Sequence, residues 1–119
     1  MTVTPDDHKT IARHLLEELW SSDDVDLADD LFTADFLHHN APGGTPRGPE
    51  GQKQFIPAIR AMAPGLRITV DDLIAEGDRV AARWTGTYRG TDGTTVSYPG
   101  VDIMRFEGGR IAELCSFVP

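Results

Sequence analysis

One carboxylate in this chain stands where a carboxylate is costly to keep ionised. In the stretch from Tyr98 to Glu113, YPGVDIMRFEGGRIAE, Asp102 shares one side of an extended segment with Met104 and Phe106, while Val101 and Ile103 take the other. That assignment follows from the two-residue repeat of strand side chains. Apolar neighbours on both faces disfavour the charged form and raise the pKa, which suits a group that takes a proton from carbon and later returns it. The structural alternative is an ion pair with Arg83 or Arg105 that only steadies the sheet. His38 and His39 suggest a metal pair, but adjacent strand residues point to opposite faces, so no metal is expected there. Asp71 and Asp72 diverge in the same way and read as an exposed strand end. Cys115 is the single cysteine; with no neighbouring base or helix start to form thiolate, it reads as an inert buried thiol. The spacing of His8 and His14 gives neither a role.

The elements that must position these groups fall into a helical half and a strand half. Thr4, Pro5, Asp6 and Asp7 form a helix start, with a hydroxyl cap, proline at the first helical position and acids at the positive end of the dipole. Ile11, Leu15, Leu16, Leu19 and Trp20 continue it as one buried stripe. A second short helix is expected from about Val25 to Phe32, with Leu27, Leu31 and Phe32 inward and an acidic face in water. A short extended piece from Phe36 to Asn40 leads into APGGTPRGPE, a loop that could cover a pocket or serve only as a connector. Pro49 and Glu50 open a third helix with Phe55, Ile56, Ile59 and Met62 inward. Pro57 within it predicts a kink, or a start nearer Gln54.

From Leu66 the pattern alternates. Gly77-Asp78, Asp92-Gly93 and Gly108-Gly109 mark three reversals, so four strands are expected, about Leu66–Ala75, Arg79–Arg89, Thr95–Phe106 and Arg110–Val118, as an antiparallel meander. Strands longer than the usual ~5 to 6 residues should twist and curl. The helices then pack on the concave side, with Val80, Ala82, Trp84, Gly86 and Tyr88 facing inward and a partly apolar outer face open to a partner subunit.

A chain of 119 residues fits a single domain, residues 1–119, with one core. Eleven basic against nineteen acidic residues, net −8, argue against nucleic acid or an anionic membrane as partner. No run approaches the ~20 apolar residues of a membrane-spanning helix. The N-terminus, MTVTPDDHK, has no apolar signal core, so a cytoplasmic protein is expected.

The order of three helices, EGDRVAARWTGTYRG, a Gly-containing turn and GVDIMRFEGGRIAE, together with DFLHHN and GPEGQKQF, resembles the SnoaL-like polyketide cyclases of the nuclear-transport-factor-2-like superfamily. The similarity covers nearly the whole chain. It implies an α+β fold: a cone-shaped (α+β barrel) domain, with three N-terminal helices on a strongly curved antiparallel sheet of four main strands. It also implies a homodimer and a deep apolar pocket. In cyclase members a pocket acid closes a ring by aldol-type chemistry without metal or organic cofactor, and Asp102 looks like that acid. The family tends to place histidines where this chain has Tyr88 and His39. The last strand departs from the family's pattern, with Cys115 in place of a tryptophan and Pro119 in place of an acid.

On that resemblance Asp102 is the expected base, and His39 or Tyr88 donates to the oxygen on which charge builds, with His38 exposed. Trp84, Phe55, Met62, Met104, Phe106, Asn40 and Cys115 are the expected binding residues. The expected function is a cofactor-independent cyclase or isomerase acting on an apolar, carbonyl-bearing, polyketide-like small molecule. The alternatives are a non-catalytic, dimeric ligand-binding domain and an epoxide hydrolase, the latter with Arg83 as the obvious helper.

Overall fold

The first helix starts where its cap residues place it. In the computed structural model, which describes residues 3–41, 44 and 47–119, the Thr4 hydroxyl accepts from the Asp7 amide and the Asp7 carboxylate accepts from the Thr4 amide, a reciprocal capping box. Helix α1 spans Pro5–Arg13 and runs on as a π-helical stretch, His14–Leu19, in which the Trp20 amide reaches back five residues to the Leu15 carbonyl. The wider turn keeps Leu15, Leu16 and Leu19 all in the core.

The expected second helix is much shorter than its periodicity suggests. Asp24 caps one 3₁₀ turn, Val25–Leu27, a single α-turn α2 follows at Ala28–Leu31, and Phe32 is already extended. Strand β1 is Phe32–His38. Helix α3 covers Pro49–Met62 as one helix, beginning at Pro49 and passing through Pro57, whose exposed position leaves the ring in water. Its entry needs Gly48, which has φ 81° and whose missing Cβ would strike the Ala34 carbonyl. Residues 42, 43, 45 and 46 of the loop before it lie outside the described residues, and the pocket-cover expectation with them.

Strands β2 (Arg67–Glu76), β3 (Arg79–Arg89), β4 (Thr95–Glu107) and β5 (Arg110–Phe117) form the expected antiparallel meander. The sheet nonetheless has five strands and is mixed, because β1 lies parallel to β5, giving the order β1-β5-β4-β3-β2. It is an open sheet with β1 and β2 at its edges rather than a closed barrel. Register shifts between Val70 and Asp72 and between Arg105 and Phe106 bend the strands. Helices cover the inner face, where Leu15, Ile56, Val80, Ala82, Met104 and Leu114 belong to one contiguous apolar cluster.

On that inner face two cross-strand pairs match a ring to a glycine. Trp84 of β3 faces Gly100 of β4, and Gly86 of β3 faces Tyr98 of β4. A Cβ on Gly100 would collide with the Trp84 ring, and one on Gly86 would sit 2.6 Å from the Tyr98 ring. Each ring therefore lies over the bare backbone of the neighbouring strand, and the two meet edge to face at 5.7 Å.

Candidate active site

Asp102 sits beside that aromatic pair. It is 2 % exposed, and its Oδ1 accepts from the Trp84 indole Nε1 at 3.1 Å. Burial pushes its carboxyl up to about 6 from an ordinary 3.8, and hydrogen bonds from Ser116, directly opposite on β5, and from Trp84 offset part of that rise. Neither arginine that could have neutralised it does so. Arg83 is turned to the outer face, where its Nη2 meets Asp72 at 2.6 Å, and Arg105 donates from Nε to Glu113 and from Nη1 to Glu107, each at 2.7 Å. The strand alternation that buries Asp102 is what carries both guanidinium groups away from it.

The carboxyl opens on a cavity of about 110 Å³. Its wall is mostly apolar, from Leu16, Phe55, Ile59, Ile68 and Trp84, and carries the polar groups of His38, Tyr98, Asp102 and Ser116. No second carboxylate and no arginine line it among the described residues.

His38, expected to be exposed, is the histidine that lines the cavity, only 6 % exposed. Its Nδ1 accepts from the Gln52 side-chain amide at 3.2 Å, which places the ring proton on Nε2. Burial, and then the neighbouring His39, push its pKa down to about 4, so the ring is neutral above that pH. Neither His38 Nε2 nor Gln52 Oε1 has a partner among the described residues. A buried group left so costs roughly 1–3 kcal/mol.

His39 is therefore a correction. It projects to the outer face, its Nε2 3.4 Å from Glu113, and cannot reach the cavity. Phe36 is buried, so two-residue alternation puts His38 inside and His39 outside. Tyr88 is half-buried at the far end of β3 and meets Tyr98 edge on at 5.9 Å; Tyr98 stands in the lining and Tyr88 does not.

Of the expected binding residues, Trp84 and Phe55 line the cavity. Met104 and Phe106 face inward but lie farther along β4 under α1, where His8 stacks on Phe106 at 4.3 Å; they are core. Met62 is 72 % exposed, since the four-residue step from Ile59 lands on Ala63, which is buried in its place. Asn40 brackets the Ser116 backbone, accepting from its amide and donating to its carbonyl, outside the cavity. Cys115 pairs with Ile103 on the outer face and is half-buried there, so it does not enlarge the cavity. The structure adds Ser116, Tyr98 and His38 to the lining, with Gln52 behind His38. The repeat Tyr98-Gly100-Asp102 carries the signal for Tyr98, and the pairing of Ser116 with Asp102 needs the β4–β5 register.

Among the described residues no helix is long and apolar enough to cross a membrane. No curated protein matches the sequence. Several solved structures share the fold. TsrD of Streptomyces laurentii superposes with a TM-score of 0.84 at 24% identity, covering 98% of this chain and 91% of its own. A candidate polyketide cyclase of Bacillus cereus gives 0.84 at 25% identity over 99% of this chain and 83% of its own. IdmH of Streptomyces antibioticus, also a candidate polyketide cyclase, gives 0.80 at 24% over 94% and 91%. The family model for the SnoaL-like domain matches residues 12–114, a span from the first helix to the last strand that includes Asp102 and His38, and the chain belongs to that family.

Proposed function

We propose that this protein is a cofactor-independent acid/base enzyme of cyclase or isomerase type, acting on an apolar, carbonyl-bearing small molecule of polyketide kind. One observation carries the reading: a buried carboxyl with no cationic partner among the described residues stands on the wall of an otherwise mostly apolar cavity. Such a carboxylate is a stronger base than its exposed counterpart, and with a pKa near 6 it is mostly ionised at neutral pH yet well suited to hold a proton in turn. Asp102 removes the proton next to the carbonyl, the resulting enolate attacks a second carbonyl or is reprotonated elsewhere, and the acid returns the proton to the alkoxide or carbon. Membership of the SnoaL-like family supports the same reaction class.

The test is proton exchange. In D₂O with an enolisable ketone, the wild type should speed the loss of α-proton signal in ¹H NMR and Asp102→Asn should not. Equal exchange by both proteins would remove Asp102 as the base. Binding without exchange in the wild type would leave the non-catalytic ligand-binding reading. Epoxide opening has less support, since Arg83 is tied to Asp72 on the other face.

The protein is further proposed to act as a cytoplasmic homodimer through the outer face of the sheet, where Ile74, Val101, Ile103 and Phe117 are exposed. Light scattering should give twice the chain mass for the wild type and the chain mass for Ile103→Lys. A monomeric wild type would refute the dimer.

A further inference from the structure

Strand β1 stops at His38, opposite Leu114 of β5, so among the described residues no strand covers the edge of β5 from there to Phe117. Asn40 takes the place of a strand residue on that edge. Its side-chain oxygen accepts from the Ser116 amide at 2.9 Å, and its side-chain nitrogen donates to the Ser116 carbonyl. Both backbone groups of Ser116 are thereby turned away from β4. Asp102 and Ser116, which face each other across β4 and β5, therefore form a non-hydrogen-bonded pair, the kind whose Cα atoms lie only about 4.5 Å apart and whose side chains come closest. Both side chains line the cavity, and the Ser116 hydroxyl donates to the carboxylate.

We infer that Asn40 is a positioning residue for Asp102: by gripping the free edge of β5, it holds the Ser116 hydroxyl against the carboxylate. The inference rests on the reading of Asp102 as the base and adds what sets its basicity from outside the cavity. A donor held there stabilises the carboxylate and opposes the effect of burial. With the end of β5 loose, the hydroxyl turns to other acceptors, and Trp84 is the remaining donor to the carboxyl among the described residues. Asn40 itself is exposed and lines no part of the cavity, so a change there leaves the wall intact. The other titratable groups of the wall are His38, neutral above about 4, and Tyr98, whose phenol is pushed up by burial; Arg83 and Arg105 face outward. Between roughly pH 5 and 8, Asp102 is thus the one described group of the lining that changes charge.

The experiment follows the Asp102 carboxyl carbon by ¹³C NMR through a pH titration of the free protein. Ser116→Ala should raise the Asp102 pKa by about one unit, the loss of one hydrogen bond to a charged group. Asn40→Ala should raise it by about half as much, and in the Ser116→Ala background it should add nothing, since its route is through that hydroxyl. Ser116→Thr, which keeps the hydroxyl, should hold the wild-type value. A merely structural Asn40 would lower stability to urea without moving the titration. An Asn40→Ala curve that matches the wild type would overturn the inference. So would an Asn40→Ala shift of the same size with and without the Ser116 hydroxyl, or a Ser116→Thr curve that follows Ser116→Ala. The carboxyl titration is read separately from α-proton exchange. A wild type that exchanges no proton defeats Asp102 as the base, while the shifts in these variants still decide whether Asn40 and Ser116 hold its carboxylate.

Discussion

Two carboxylates on neighbouring strands, Asp102 of β4 and Glu113 of β5, meet opposite fates. Glu113 faces water and accepts from Arg105 Nε at 2.7 Å, with His39 3.4 Å away, and these partners hold it below the usual carboxylate range. Asp102 faces the cavity, meets among the described residues the Trp84 and Ser116 donors alone, and rises to about 6. The difference lies in the face of the sheet, since β4 and β5 supply both environments. Alternation sets both arginines on the outer face, where Asp72, Glu107 and Glu113 occupy them, and leaves the inner acid to its two neutral donors.

That contrast breaks first at Asp102. Asp102→Asn should lower ketone α-proton exchange by about 10²–10⁴-fold with the far-ultraviolet circular dichroism unchanged, on the usual scale for a general base. Stability against pH gives the next largest effect. Asp102 has its native pKa above its unfolded value, about 6 against 3.8, so its contribution to stability is lost as pH rises through 6. His38 has the reverse displacement, about 4 against 6.5, so its contribution is full above 6.5 and lost as pH falls towards 4. In urea titrations from pH 4 to 6, Asp102→Asn should therefore gain on the wild type as pH rises, by up to about 3 kcal/mol. His38→Phe should lose ground over the same interval, and parallel curves for all three proteins would contradict both assignments.

Trp84→Phe sharpens the comparison within the inner face. It removes a donor that favours the carboxylate, so the acid limb of the exchange profile should move up by about one pH unit. Glu113→Gln is the control with the smallest effect. It breaks the contact with Arg105 on the outer face, and the exchange rate should stay within about twofold, since this half-buried pair lies across the sheet from the cavity.

The helical starts, the four meander strands and the inward side of Asp102 are legible in the sequence because each depends on local spacing and turn dipeptides. The fifth strand is not. Phe32–His38 pairs in parallel with β5, more than seventy residues on, and a parallel partner leaves no turn between the two to read. The assignment of His39 inward and His38 outward rests on the resemblance, because Phe36 and Leu37 are both apolar and alternation alone chooses no face; burial of Phe36 decides it the other way. On β4, Tyr98, Asp102, Met104 and Phe106 share one face, and pattern cannot separate lining from core. What separates them is the cover: His8 of α1 seals Phe106, while Tyr98 and Asp102 face the opening. Gln52, fully buried on α3, was silent because its task is to a side chain on another element.

The two glycines under the aromatic rings make cavity depth adjustable from behind. A methyl group on Gly86 would press on the outer end of Tyr98, a side chain able to tip aside, whereas one on Gly100 would meet the body of the Trp84 indole. The first change would move a wall and keep the indole bond to Asp102; the second would displace the donor itself. Substrate size and carboxyl basicity can thus drift apart through single-carbon changes on adjacent strands, neither of which touches the ligand.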